Sequence, residues 1–364
     1  MVRAAVMTAP GEPIEVMEFE EPRMEEDSLL LRTIYAEVCG TDVHLWHGRL
    51  EGVPYPIIPG HVNVGEVEKV KGAVADVNGE EIKPGEVVTF FDVHETCQNC
   101  WFCLVAKAAT RCPRRRVYGI TYSAQEGLLG GWSEKIYLKP GVKVIKLPAG
   151  VSPEESIGGG CGLPTSFHAV ERASIKMGNT VVVQGSGPVG LSACIFAQLR
   201  GAYRVILIGA PELRLKAATD RGVDVAINIE KVGIEQRIEK VKELTEGRGA
   251  DVVIEASGNS QAVMEGLRMV RDYGTYVVVG QYTDTGDITV NPHRDINRRH
   301  INLLGCWGFE FTHLYRAIKL MERYHHRYRW HEFISRRYPL DQANRALQDV
   351  EELKVIKAVL EPAK

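Results

Sequence analysis

Two groups of cysteine and histidine in this chain have the types and spacing to bind a metal. In the first, Cys97-x-x-Cys100-x-x-Cys103 is followed after eight residues by Cys112. Four thiolates this close in sequence can close a tetrahedral zinc site with no open position, which makes the site structural. Four free buried thiols are the bland alternative, and the spacing speaks against it. A zinc ribbon gripping nucleic acid is a second alternative, because Arg114, Arg115 and Arg116 follow at once. The net charge of -3 opposes a phosphate-tracking surface, and three arginines read more simply as a solvated face. The second group is dispersed: Cys39 in Cys39-Gly40-Thr41-Asp42-Val43-His44, His61 after Pro59-Gly60, and Cys161 between Gly160 and Gly162. Two thiolates and one imidazole leave a fourth zinc position for a reacting oxygen. Singly, each cysteine reads as a small core residue and His61 as a turn cap.

A third stretch raises the weight of the catalytic reading. Residues 180–190 read TVVVQGSGPVG. Val181, Val182 and Val183 have the composition of a strand buried on both faces in a parallel sheet. Gly185-Ser186-Gly187-Pro188-Val189-Gly190 fits G-x-G-x-x-G, and residues 191–199 read as a helix. In a dinucleotide fold the first glycine makes the tight turn, the second admits the pyrophosphate, and the third lets helix and strand pack. The helix N-terminus then offers free N–H groups to the phosphates. A chain with 36 glycines could produce the motif by chance, but here it stands between a strand and a helix.

The elements that must position these residues fall into two patterns. Residues 3–7, 28–38, 62–70, 86–93 and 133–138 read as strands of a small barrel-like β domain, punctuated by Pro54-Tyr55-Pro56, Pro59-Gly60 and Pro84-Gly85. Strand–helix alternation begins near Cys161. Its strands are expected at 180–184, 204–208, 251–255, 275–279 and 302–306, with helices including 234–244 and 260–270. That alternation implies a doubly wound parallel sheet. Residues 313–326 and 340–352 read as helices and 355–360 as a strand that returns to the first domain. The expected domains are 1–158 with 310–364, carrying a metal lobe at about 94–115, and 159–309.

Composition bounds the partners. The 364 residues suffice for two domains with real cores, and 45% hydrophobic and 25% charged residues are ordinary for a soluble protein. The charge gives no reason to expect nucleic acid or membrane, and no apolar run reaches the length of a span. The first residues, MVRAAVMTAPGEP, lack the apolar core of a signal peptide. Clustered cysteines suggest metal ligands in a reducing compartment, so a cytoplasmic location is expected.

In combination these residues resemble the zinc-dependent medium-chain alcohol dehydrogenases over essentially the whole chain. CGTDVHLWHG, PGHVNVGEV and GGGCGLPTSFHAV are similar to the segments holding the family's three catalytic zinc ligands, and CQNCWFC with Cys112 resembles its structural-zinc lobe. The resemblance implies an α/β fold: a GroES-like β-rich catalytic domain and a Rossmann domain, with the active site in the cleft between them. It implies two zinc ions per chain, one on Cys39, His61 and Cys161 and one on Cys97, Cys100, Cys103 and Cys112. Asp42 would orient the histidine ligand. The zinc would act as a Lewis acid, Thr41 would take the substrate proton, and His44 would pass it to solvent. Thr165 and Val189 would pack against the nicotinamide, and Lys357 would lie near the pyrophosphate. Trp46 and Val93 match positions lining the alcohol pocket, which Gln281, Tyr282 and Trp307 could reach. A homo-oligomer, dimer or tetramer, acting on a small alcohol or ketone is implied.

Three departures matter. The family's usual glutamate after the histidine ligand is Val62 here. The gap before Cys112 is one residue longer than usual. The acidic residue that ends the second Rossmann strand and binds the ribose is replaced by Gly209. Gly209 removes a repulsion against a 2′-phosphate, yet the arginine of NADP-using relatives is Pro211 here. Glu212 could hold the ribose, and Arg214 could cover the adenosine. NAD is favoured over NADP. Val93 replaces an aromatic, so the expected substrate is a bulky or cyclic secondary alcohol, with a polyol as the alternative. A zinc-free quinone or enone reductase and a nucleotide-binding non-enzyme are the readings from other classes. The three dispersed ligands oppose the first, and turnover on an alcohol panel separates the second.

Overall fold

The computed structural model describes residues 1–363, which form two compact units: Met1–Gly160 with the segment from Glu310 onward, and Cys161–Phe309. Among the described residues no helix is long and apolar enough to cross a membrane.

The first unit is built on the strand Ser28–Val38. It pairs antiparallel with Asn63–Lys71, Lys135–Leu138 and Lys357–Leu360. Its apolar residues serve three cores, one of them Tyr35 with Val64, Ile157 and Val359. Leu29, Leu30 and Leu31 pack with Val67, Val88 and Phe90. Ala36 and Val38 pack with Val2, Ala4, Trp132 and Leu360. The sheet continues through Val87–Phe90 to Val144–Lys146 on one side, and through Lys357–Leu360 to Ile334–Tyr338 on the other. The C-terminal segment therefore supplies two strands of this sheet.

Two expected elements are divided. The strand expected at 86–93 ends at Phe90, and Val93–His94 pairs instead with Arg116–Val117. Phe91 still donates its N–H to Lys143 O at 2.9 Å, beside the partner strand Val144–Lys146, and stacks edge-on against Phe311; beyond it the chain turns to pair with Arg116–Val117. The helix expected at 340–352 opens as a 3-10 turn, Leu340–Gln342, before the α-helix Ala343–Glu351.

The second unit is a parallel sheet whose strand order among the described residues is Val225–Asn228, Arg204–Gly209, Thr180–Gln184, Ala250–Glu255, Val270–Val278, Asn302–Gly305. This is the Rossmann order, and the direction of winding reverses between Thr180–Gln184 and Ala250–Glu255. All five residues of Thr180–Gln184 are buried, as a strand covered on both faces requires. Ligands of such sheets bind beyond the carboxyl ends of the strands at that reversal, where the glycine loop lies.

Candidate functional site

The lobe carrying the four cysteines is closed at its base by Val93–His94 and Arg116–Val117. The ligand atoms of Cys97, Cys100, Cys103 and Cys112 lie within 4.8 Å of one another. Cys100 and Cys103 are 3.5 Å apart at sulfur, as are Cys112 and Cys97. The longer gap before Cys112 is accommodated by a π-helical turn, Phe102–Ala106, which takes up one residue more than an α turn. Glu310 clasps the returning chain, accepting the N–H groups of Ala109 and Thr110 at 2.9 Å each. The sulfurs are too close for four free thiolates. Desolvation, with the neighbouring Cys100, pushes the Cys103 thiol up to about 12, whereas the N–H of Cys103 lowers Cys100. A divalent cation removes that conflict, and four sulfurs suit zinc.

The second donor set begins at Cys39, which caps the helix Gly40–Trp46. The Asp42 carboxylate turns back to accept the Cys39 N–H at 2.8 Å. Its other oxygen is buried without a hydrogen-bond partner. Burial raises the Asp42 pKa, with His61 and the Cys39 N–H pulling the other way. His61 is buried after Gly60, whose φ is +88°. A side chain at Gly60 would meet Trp132 N at 2.9 Å, and one at Gly119 would meet His61 N at 2.7 Å. Two glycines thus let three loops close around the imidazole. Cys161 follows Gly160 at the junction of the two units and caps the helix Gly162–Ala173. The ligand atoms of Cys39, His61 and Cys161 lie within 4.8 Å of one another. Two sulfurs, one imidazole and an orphaned carboxylate oxygen fit a zinc ion and its orienting partner. Thr41 and His44 are half-buried on the helix that Cys39 caps.

The glycine loop divides its work as the motif requires. Gly185 has φ +108°, and a Cβ there would lie 2.6 Å from the Ala256 carbonyl. A Cβ at Gly190 would run into the Gly185 carbonyl oxygen. A Cβ at Gly187 would meet nothing within 4 Å, above the N-terminus of the helix Pro188–Leu199. Gly187→Ala is therefore expected to keep the wild-type melting temperature while weakening dinucleotide binding roughly tenfold, about 1.4 kcal/mol. Gly190→Ala should cost about 1–3 kcal/mol of stability through overpacking. Thermal unfolding and cofactor titration of both variants check this. Unchanged dinucleotide affinity in Gly187→Ala would remove the pyrophosphate from the loop.

Several residues expected near the cofactor are placed differently. A Cβ at Gly209 would lie 2.5 Å from Ser186 Oγ and 2.7 Å from Ser186 Cβ. That hydroxyl donates to Ala210 O at 2.7 Å, so Ser186 occupies the space an aspartate at 209 would need. Glu212 is exposed and accepts hydrogen bonds from Lys231 at 2.9 Å and Asn228 at 3.0 Å, both on Oε2. Arg214 is buried within the second unit, and desolvation lowers it to about 10. It is not a surface cation over an adenosine. Lys357 is also buried, and its ammonium is paired with Glu37. It brings no unneutralised charge to a pyrophosphate. Thr165 and Val189 lie half-buried on Gly162–Ala173 and Pro188–Leu199, helices in contact where Gly162 faces Pro188.

Of the residues expected to line a pocket, Val93 is buried in its short strand. Trp46 packs on the core of the first unit and donates its indole N–H to Glu12 O at 2.9 Å. In the second unit Tyr282 and Trp307 stack with centroids 5.1 Å apart, and Trp307 Nε1 donates to Tyr282 O at 3.0 Å. Gln281 accepts from Thr285 Oγ1 at 2.7 Å, while its Nε2 is buried without a partner.

Sequence reasoning passed over Glu37, Asp92 and Ser186. Glu37 stands two residues before Cys39 in an otherwise apolar half-strand, a signal that was there to read. Asp92 is a buried carboxylate with an unpartnered Oδ1; burial raises its pKa, and His61 opposes the shift.

Comparison with known proteins agrees with this geometry. The family model described as alcohol dehydrogenase GroES-like domain matches residues 25–149, and that described as zinc-binding dehydrogenase matches residues 188–323. The chain is 32% identical to a 5-exo-hydroxycamphor dehydrogenase of Pseudomonas putida, over 99% of this chain and 98% of that one. It superposes with a TM-score of 0.94 on an alcohol dehydrogenase of Thermotoga maritima, at 33% identity and 99% coverage of both chains. A zinc-binding dehydrogenase of Sinorhizobium meliloti, bound to NADP, superposes with a TM-score of 0.87 at 27% identity, covering 100% of this chain and 99% of that one. The chain belongs to the zinc-dependent medium-chain alcohol dehydrogenases. It is an oxidoreductase acting on CH–OH groups, built for zinc and a nicotinamide cofactor.

Proposed function

We propose that the protein interconverts a bulky or cyclic secondary alcohol and its ketone, with NAD as the favoured cofactor and two zinc ions per chain. The observation that carries this reading is the open three-ligand set of Cys39, His61 and Cys161, beside the orphaned Asp42 oxygen. Cys97, Cys100, Cys103 and Cys112 would hold the second zinc. When bound, the catalytic zinc supplies Lewis acidity at the alcohol oxygen and the nicotinamide supplies the hydride acceptor.

The chain's own residues do the rest. Asp42 holds His61 in its ligand orientation. Thr41 Oγ1 takes the hydroxyl proton and His44 passes it to solvent. Thr165 and Val189 would pack against the nicotinamide, and Gly185, Gly187, Pro188, Val189 and Gly190 would cradle the pyrophosphate at the helix N-terminus. Lys231 keeps the Glu212 pKa low, so Glu212 stays ionised near the carboxyl end of Arg204–Gly209. That charge can accept the ribose hydroxyl and opposes a 2′-phosphate. Val93 and Trp46 in the first unit, and Tyr282 and Trp307 in the second, are the apolar candidates for contact with the substrate. The relative named for a hydroxycamphor supports a bulky cyclic alcohol. A polyol is the second reading, favoured by the unpartnered Gln281 Nε2.

Burial, with Arg49 and His47, lowers the His44 pKa, so the imidazole stays neutral further into acid than a free histidine. It can still accept a proton in acidic solution, where solvent base is scarce. His44→Ala should therefore slow alcohol oxidation roughly tenfold near pH 6.5 and recover toward pH 9 or in added imidazole. A pH profile parallel to that of the wild type would remove His44 from the relay.

Initial rates with primary, secondary, cyclic and polyol substrates and both cofactors test the proposal. The highest kcat/KM is expected for a cyclic secondary alcohol with NAD. A maximum on a linear polyol, or a preference for NADP, would overturn the corresponding part.

A further inference from the structure

Lys357 has no exposed side-chain surface, and the side chain of its partner Glu37 is 1% exposed. The two lie 320 residues apart in sequence and meet across antiparallel strands, where Val359 faces Glu37 and Ala358 faces Val38. Burying a charge pair costs several kcal/mol of desolvation, and apolar residues of similar volume usually serve stability as well or better. The pair therefore calls for a reason beyond packing.

Its surroundings supply one. Glu37 stands two residues before Cys39 on the strand Ser28–Val38. Its N–H donates to Val62 O at 3.1 Å, fixing the residue after His61. The Lys357 ammonium also lies 3.5 Å from Gly159 O. Both charged groups press on Gly160, where a Cβ would collide with Lys357 Nζ and Glu37 Oε2. Gly160 precedes Cys161 and has φ +52°. The charged groups thus pin the chain before Cys161 to the strand that leads into Cys39, and the Glu37 main chain of that strand holds the residue after His61.

We infer that Glu37 and Lys357 form a positioning pair that sets the mutual placement of Cys39, His61 and Cys161 for the metal. The inference rests on the reading of those three residues as catalytic zinc ligands. Neither member touches substrate or metal. The pair acts through the main chain of the ligand-bearing segments, in the manner of outer-shell groups around metal sites.

The test uses the zinc-loaded enzyme and two variants. Glu37→Gln with Lys357→Met removes both charges together, so that no unpaired buried charge remains. Glu37→Asp keeps both charges and withdraws the carboxylate by one methylene. Zinc loss to a competing chelator is followed at each site, and the catalytic site is exchanged with cobalt for its absorption bands. The double variant should bind catalytic zinc roughly 10- to 100-fold more weakly, with shifted cobalt bands, while the four-thiolate zinc is retained. Glu37→Asp should fall between it and wild type. If the double variant does not fold, Glu37→Asp decides. Wild-type affinity and cobalt bands in a folded variant would overturn the inference and leave the pair a packing feature. A wild-type enzyme that binds zinc only at the four-thiolate site would overturn the ligand assignment itself, and this inference with it.

Discussion

Cys161→Ala is expected to lower kcat/KM roughly thousandfold or more, about 4 kcal/mol of transition-state stabilisation, and to leave the fold intact. Cys161 sits at the N-terminus of Gly162–Ala173, a helix whose buried face does not depend on the sulfur. An alanine there keeps the helix and removes one of the three proposed ligands. The remaining thiolate and imidazole hold zinc too weakly to polarise the alcohol oxygen reliably. Steady-state kinetics, elemental analysis and circular dichroism check the result together. Zinc content should fall toward one ion per chain while the spectrum and melting temperature stay near wild type. A variant with full zinc content and unimpaired turnover would remove Cys161 from the metal site.

The opposite pattern is expected at the lobe. Cys100→Ser should cost on the order of 4 kcal/mol or more of local stability, because structural zinc sites contribute folding energy directly. Little else holds this segment. Its secondary structure is a two-residue strand pair, one π turn and one 3-10 turn, with the Glu310 clasp at its return. Trp101 and Val105 are largely exposed, so the lobe has scant core of its own. Loss of the metal should open residues 95–112 to limited proteolysis and lower the melting temperature, with kcat falling much less than in Cys161→Ala. A chelator-resistant lobe and an unchanged melting temperature would rule out a structural metal there.

The two substitutions separate because the two donor sets differ in closure, and that difference was legible in the residues. Short-range spacing placed four thiols in one lobe, and the glycine motif between an apolar strand and a helix announced the dinucleotide loop. The alternation of strands and helices after Cys161 carried the doubly wound parallel sheet, though not its strand order. Boundaries were less legible. The strand expected at 86–93 is divided because Val93–His94 finds its partner in Arg116–Val117, on the far side of the cysteine lobe.

The glycine motif, the clustering of four thiols and the fold class were decided by the sequence alone, because they depend on residue type, short spacings and the alternation of strands and helices. The tertiary structure decided which charges are available. Lys357 and Arg214 look like surface cations until burial is known, and the partner of Lys357 comes from the other end of the chain. Gly209 looks like open space for a carboxylate until Ser186 is found filling it. Pairing across hundreds of residues is set by strand register and by the close approach of main chains. Neither leaves a local pattern in the sequence, and so neither could be read before the strands were laid side by side.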